Sequence, residues 1–436
     1  MGLQLADGDR VIIVGGGPSG CFAGLHLLQF ARQKGLKLDI LLFEPRDFSA
    51  TGPAGCNRCA GILSSRLIRG LKSLDVTLPP EVIEAEIHAY SLRIADQMFR
   101  IEQPDPDRSI VSIYRGGGPR LGDPANMRGF DAFLLDLTRQ RGITHLKERV
   151  RNIAWAEKPV VQTRDSAYEA DFLVLATGVN SRVPLAAEYG YEAPKTAIMA
   201  QDEFPMPADW PSDQVSAFFS KPEGLQFGAI IPKGRYVNVS LLGEGLRLDS
   251  ISDFVAEHGL ADTAFSPANS LCGCTPRIAV GPARNYYGAR WVAVGDAAVT
   301  RLYKDGIGSA FFTSRAAMEA AVNAGISRRA FDWKYRPYCR RVHRDNRYGR
   351  LLFALWQFTL RTPALLRAWM QAVRLEATSA PEQRVHIRIL WGMLTGDESY
   401  RSLFWLSLSP GSLTDLGRGL KHSTGGSHES IVGTAD

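Results

Sequence analysis

The chain has 436 residues, 45% of them hydrophobic and 22% charged, with a formal net charge of +6. These are globular values, and the length calls for two or three domains rather than one simple core. No run of roughly 18 or more apolar residues occurs, so no spanning helix is indicated, and residues 1–10 carry no signal-peptide pattern. Ala6 stands where a myristoylation site after Gly2 would want Ser or Thr. A cytoplasmic location with reduced cysteines is therefore expected.

Residues 11–14 (Val-Ile-Ile-Val) form a short apolar run ending in glycine, as a buried parallel strand does. Gly15, Gly17 and Gly20 then match G-x-G-x-x-G. In that pattern the first glycine permits a tight turn, the second admits a pyrophosphate and the third packs helix on strand. A helix is expected over 18–34, opened by Pro18 and Ser19 and stopped by Gly35, with its N-terminal dipole end toward the phosphates. Residues 38–43 make the next strand, and Glu44 at its end suits a ribose hydroxyl. Glu44 lies 24 residues past Gly20, close to the usual spacing of about 20. This unit alone does not separate FAD from NAD.

Residues 78–116 read as short strands with turns, and Arg128-Gly129-Phe130-Asp131 opens a helix ending near Gly142. A second buried strand, 171–175, runs into Ala176-Thr177-Gly178. Residues 185–280 return to short strands, and a third buried strand over 291–294 ends in Gly295-Asp296. Asp296 is either a cofactor ligand or a helix N-cap. Asp305-Gly306-Ile307-Gly308 opens a further helix of small residues ending near Gly325. Arg301 and Lys304, just ahead of it, are either charge beside a cofactor or solvated surface residues.

Between 321 and 390 there are fourteen Lys/Arg and four acids, so this stretch carries +10 and the remainder −4. Leucine and aromatic anchors are interleaved with the charge. Two readings stay open: amphipathic helices on an anionic membrane face, or a helical lobe packed on the body. Nucleic acid is not expected as a partner, since no recognised module accompanies the charge. The tail after Pro410 is rich in Gly, Ser and Thr and is expected to be disordered.

The glycine fingerprint, the Ala-Thr-Gly turn and the Gly-Asp strand together resemble the flavoprotein class of aromatic hydroxylases and geranylgeranyl reductases (the glutathione reductase 2 type). The resemblance implies FAD, with Asp296 on its ribityl chain. It also implies a cofactor-binding set of Gly15, Gly17, Pro18, Ser19, Gly20, Glu44, Arg46, Arg128, Val150, Ala176, Gly178, Gly295, Asp296, Gly306, Ile307 and Gly308. Cys59-Ala60-Gly61 resembles the Cys-Gly-Gly loop of geranylgeranyl reductases, which makes Cys59 and Gly61 the catalytic candidates. Residues 227–234 resemble that family's Tyr-x-Trp-x-Phe-Pro stretch, which implies a substrate pocket at Phe227, Ala229, Ile231 and Pro232. The large aromatics of that stretch are replaced here by Ala229 and Ile231. The likeness covers roughly residues 8–325, with the basic C-terminal lobe outside it or only weakly alike.

The expected fold is α/β. A Rossmann-like FAD-binding domain (8–77, 117–184, 281–325) carries a twice-inserted antiparallel-sheet substrate domain (78–116, 185–280). A basic helical lobe (326–410) and a disordered tail (411–436) follow. The resemblance implies a reductase that passes hydride from flavin to a carbon–carbon double bond of an isoprenoid or other apolar substrate. Alternatives are an aromatic-hydroxylase-type monooxygenase and a quinone-linked electron carrier. NAD(P)H or a protein donor would reduce the flavin, since no separate nicotinamide unit is evident. Cys56, Cys59, Cys272 and Cys274 could line the pocket, form redox disulfides or hold zinc or an iron–sulfur cluster. The eight histidines form no close pair, and no Ser–His–Asp order is visible.

Overall fold

The apolar run after Asp9 becomes the strand Arg10–Val14 of a six-stranded sheet. The computed structural model describes residues 3–56, 60–94, 97–122, 127–219, 224–261 and 263–425. Across the sheet the order is Tyr287–Gly288, Trp291–Ala293, Phe172–Leu175, Arg10–Val14, Asp39–Phe43 and Thr144–Leu146. Every neighbouring pair is parallel except the first. The four inner strands are apolar along nearly their whole length because both faces are covered.

The helices among the described residues are α1 (Pro18–Gln33), α2 (Ser65–Lys72), α3 (Phe130–Gln140), α4 (Ser250–Glu257), α5 (Gly306–Asn323), α6 (Arg328–Arg361), α7 (Pro363–Ala377), α8 (Val385–Thr395), α9 (Tyr400–Ser407) and α10 (Pro410–Gly425). One core lies between the six-stranded sheet and α1, α3 and α5, where Phe22, Phe130 and Phe311 meet. Small residues let α1 and α5 approach closely, and Ser314 Oγ donates to the Ser19 carbonyl at 2.9 Å.

A seven-stranded sheet stands beside this unit, ordered Arg277–Ala279, Thr196–Pro205, Tyr236–Gly243, Leu225–Lys233, Gln214–Phe218, Ala89–Ile94 and Gln97–Glu102. It is mixed rather than wholly antiparallel. Within each inserted segment neighbours pair antiparallel, but Gln214–Phe218 joins Ala89–Ile94 in parallel. That pair is the seam between two separate segments, where no hairpin dictates direction. Alternation along these strands divides the core. Phe218 and Ile230 face α4, whereas Val215, Ala217, Phe227, Ala229 and Ile231 face the C-terminal helices and the cavity described below.

The helical lobe packs Leu352, Trp356, Trp369, Leu390, Trp391 and Leu403 against that second face. The expectation of a disordered tail from 411 is corrected for the described part, since α10 is helical to Gly425. Ser409 Oγ accepts from the Ser412 N–H and Pro410 opens the helix. Gly419 gives α10 close access to the Ala368 carbonyl of α7. These contacts outweigh the polar composition that suggests disorder. No described helix is long and apolar enough to cross a membrane.

Candidate functional site

A cavity of about 490 Å³ opens at the carboxyl ends of the parallel strands and runs on beneath the seven-stranded sheet. Its first end is built mostly from backbone. Gly15 sits at φ +107°, a conformation that L side chains rarely adopt, and its N–H bonds the Phe43 carbonyl at 2.9 Å. A side chain at Gly20 would strike the Gly15 carbonyl, so Gly20 sets how closely α1 approaches the turn. Gly17 caps α1 and, with Pro18 and Ser19, lines the cavity.

Glu44 is buried at this end. Its Oε2 accepts the Gly16 N–H at 3.0 Å, and its Oε1 accepts both Arg46 N–H and Arg46 Nε at 3.1 Å. The glycine turn and the acid are thereby one unit, and the carboxylate is held rigid at the wall. Arg46, Val150, Ala176 and Gly178 continue the lining. Asp296 lies at the junction with the second end. Burial raises its pKa, opposed by a hydrogen bond from Thr300 and the Arg115 guanidinium. Arg115 is itself fixed on Asp131, Nη2 to Oδ2 at 2.8 Å.

The second end is built from side chains of distant segments. Tyr90, Met199, Val215, Ala217, Phe227, Ala229, Ile231 and Leu394 give it an apolar wall, with Gly61, Gln201 and Ser240 at its margin. Gln201 Nε2 donates to Ser240 Oγ at 2.8 Å, which in turn donates to Asn238 Oδ1 at 2.6 Å. The loop 301–305 forms the floor. Tyr303 and Asp305 both adopt left-handed backbone, at φ +63° and +56°. Such conformations in non-glycine residues store strain that the surrounding packing must hold, a pattern common in functional sites.

This loop carries the charge of the site. Lys304 Nζ lies 3.6 Å from the centre of the Phe227 ring. The surface Lys304 retains opens onto the cavity, and burial lowers its pKa to about 7. Asp305 accepts a 2.8 Å bond from Ser64 Oγ, and burial raises its pKa to about 6. Arg301 is buried, lies over the Tyr400 ring at 3.8 Å and reaches Asp345 at 3.7 Å. Its Nε and Nη2 have no hydrogen-bond partner among the described residues. Arg301 is thus buried and Lys304 half-buried on the cavity, in place of the solvated-surface reading.

Other expected residues sit elsewhere. Gly295 lies behind the lining, where Ser19 leaves no room for a side chain, and Gly308 makes room for the Asp305 carboxylate. Ile307 and Gly306, at the start of α5, do line the cavity. Arg128 is away from it, paired with Glu81 at 3.3 Å and Asp136 at 3.2 Å. Pro232 also lies off the lining, and its carbonyl accepts from Ser112 Oγ.

Cys59 falls outside the described residues. Cys56 lines the cavity beside Ala60 and Gly61. Cys272 and Cys274 stand behind Gln201 rather than on the lining, the Cys272 N–H bonding Asp202 Oδ1 at 3.1 Å and burial raising the Cys272 pKa. Among the described residues Cys56, Cys272 and Cys274 do not converge as metal ligands. The cluster with that potential is Glu376, His386 and Asp415, in the C-terminal lobe.

There His386 Nδ1 meets Glu376 Oε1 at 2.7 Å and its Nε2 meets Ser412 Oγ at 3.2 Å. The Ser–His–Glu order resembles an acyl-transfer triad, but all three residues are 4% exposed or less, which closes them to a substrate. Glu376 also accepts the N–H groups of His386 and Ile387, so it caps α8 from α7 while Ser412 ties in α10. The three residues are 10 and 26 positions apart and leave no motif in the chain.

Comparison of the sequence with protein-family profiles finds no matching family, and comparison with curated protein sequences finds no match. The fold itself is shared with solved structures. A geranylgeranyl bacteriochlorophyll reductase-like protein from Thermoplasma acidophilum is 14% identical, with 96% of this chain and 100% of that chain covered and a TM-score of 0.63. A flavoprotein/dehydrogenase from Cytophaga hutchinsonii is also 14% identical, with coverages of 95% and 99% and a TM-score of 0.61. The flavin-dependent brominase Bmp2 is 15% identical, with coverages of 92% and 98% and a TM-score of 0.60. The chain therefore has the α/β fold of these flavoproteins over nearly its whole length.

Proposed function

We propose that this protein is an FAD-dependent oxidoreductase that reduces a carbon–carbon double bond of an apolar substrate. The observation that carries the reading is the single cavity with a glycine-built, acid-marked end and an apolar end that holds one ionisable lysine. The first end fits FAD on its own chemistry. Gly15 and Gly20 leave a turn open to a pyrophosphate. Glu44 is oriented for a ribose hydroxyl, and the buried Thr177 hydroxyl has no hydrogen-bond partner among the described residues. The reductase-like and dehydrogenase fold relatives support redox chemistry of this kind.

When bound, FAD would supply a hydride to one alkene carbon, having been reduced by a nicotinamide or protein donor. The chain supplies the rest. The apolar wall from Phe227 to Ile231 and the Tyr90 ring exclude water and hold the chain of the substrate. Lys304, with its pKa near 7, gives a proton to the second alkene carbon, so that hydride and proton together make up the two added hydrogens. Phe227 holds the ammonium in place through its ring face.

The test is anaerobic. Photoreduced protein mixed with prenyl lipids should regain its oxidised flavin absorbance as the lipid is reduced, and no reoxidation by any polyprenyl substrate would overturn the reading. The likeness to a brominase supports a second reading, oxygen-using chemistry in the same pocket. Substrate-stimulated oxygen consumption would establish that second reading in place of the first.

A further inference from the structure

The exposed face of α6 is a basic row that turns into an apolar row. Arg340, Arg344 and Arg347 are exposed, followed by Leu351, Leu355 and Phe358 at 52%, 41% and 58% exposure. Steps of three and four residues place all six on one side of the helix. Arg361 closes the row, and the exposed Pro363, Ala364 and Arg367 of α7 extend it past the turn. The opposite side of α6 is spent on the core, with Leu352 and Trp356 buried. Among the described residues Arg340, Arg344 and Arg347 have no carboxylate at ion-pair distance.

We infer that this face docks the protein on an anionic lipid bilayer. Apolar side chains of an interfacial helix enter the acyl boundary while arginines meet the lipid phosphates. Charge decides between occupants. A second copy of the same face would cover the apolar row but bring no counter-charge to Arg340, Arg344 and Arg347. A nucleic acid would take up the charge but leave Leu351, Leu355 and Phe358 in water. An anionic bilayer satisfies both rows at once. The location also has a consequence for the cavity, because Phe353 on α6 packs its ring on Tyr303 at 5.2 Å and Gln357 reaches the carbonyl next to Phe227. One helix thus separates the bilayer from the apolar end, which suits a substrate dissolved in lipid. The docking itself stands apart from the redox reading, since vesicle binding needs no turnover.

The experiment is co-sedimentation of the full chain with vesicles of phosphatidylcholine alone and of equal parts phosphatidylcholine and phosphatidylglycerol. Binding is expected only to the second, weakening as salt is raised. The triple variant R340E/R344E/R347E and the double variant L355D/F358D should each lower the partition coefficient by about tenfold or more, with unchanged melting curves because all five side chains are exposed. Phe358→Ala should fall between them and the parent. Equal binding to both vesicles, or full binding by folded variants of both kinds, would overturn the inference. So would a protein that binds neither vesicle but dimerises through this face, as seen by a dimer that L355D/F358D dissociates.

Discussion

The two ends of the cavity are made in opposite ways. At the dinucleotide end the working parts are backbone turns, so residue type is dictated by conformation: Gly15 at positive φ, Gly20 against a carbonyl, Glu44 bonded to the Gly16 N–H. At the apolar end the working parts are side chains from six remote segments, and what matters is the environment they share. Lys304 acquires its chemistry only because Phe227 and its surroundings desolvate it. A backbone-built site is written as spacing, whereas a side-chain-built site is written only in three dimensions.

That contrast is broken or sharpened by changing each end alone. The largest effect is expected for Lys304→Met, which should lower the rate of substrate reduction by roughly 10² to 10⁴ while leaving FAD content unchanged. Because Lys304 acts as an acid with a pKa near 7, the parent's rate should fall as pH rises through that value, and the variant should lose this limb. Gly20→Val strikes the other end. It should weaken FAD binding roughly hundredfold, about 2.8 kcal/mol, read by flavin fluorescence titration with the fold checked by circular dichroism. Glu44→Gln removes a charge but keeps the shape, and about a tenfold loss in FAD affinity is expected by the same titration.

A separate effect, on stability rather than on function, concerns the core rather than the cavity. His26 is buried beside Phe30 and Phe311, and burial lowers its pKa to about 3. On unfolding it returns to the ordinary value near 6.5 and takes up a proton that the folded state refuses. Stability from this residue is therefore fully present above pH 6.5 and is lost as pH falls toward 3, by at most about 1.4 kcal/mol per pH unit. His26→Leu should flatten that part of the stability curve in denaturant melts at pH 4 to 7, and an unchanged slope would mean the ring is hydrated in the folded state.

The same contrast explains what could be read from the chain. The strands at 11–14, 38–43, 171–175 and 291–294, the glycine turn and the small-residue helix at 306 all carry local signals, because each is set by its own pattern of apolar and glycine residues. Phe227, Ala229 and Ile231 were also within reach, since alternation along Leu225–Lys233 points them to one face. For Lys304 and Arg301 the chain leaves two readings open, because a lone charge in a loop looks the same whether water or protein surrounds it. The flavoprotein resemblance places Gly308 on the cofactor, yet its want of a side chain serves Asp305. The parallel seam between Gln214–Phe218 and Ala89–Ile94 has no local signal, since it joins strands more than a hundred residues apart. Helix α10 is hidden by its polar composition, and its cap at Ser409 together with its packing on α7, α8 and α9 accounts for it.

The central claim is that the glycine-built end holds FAD. Purified protein, reconstituted with FAD if necessary and then denatured in acid, should release one FAD per chain, retained by Lys304→Met and lost from Gly20→Val. A folded parent protein that neither carries flavin nor takes it up on reconstitution would contradict the account.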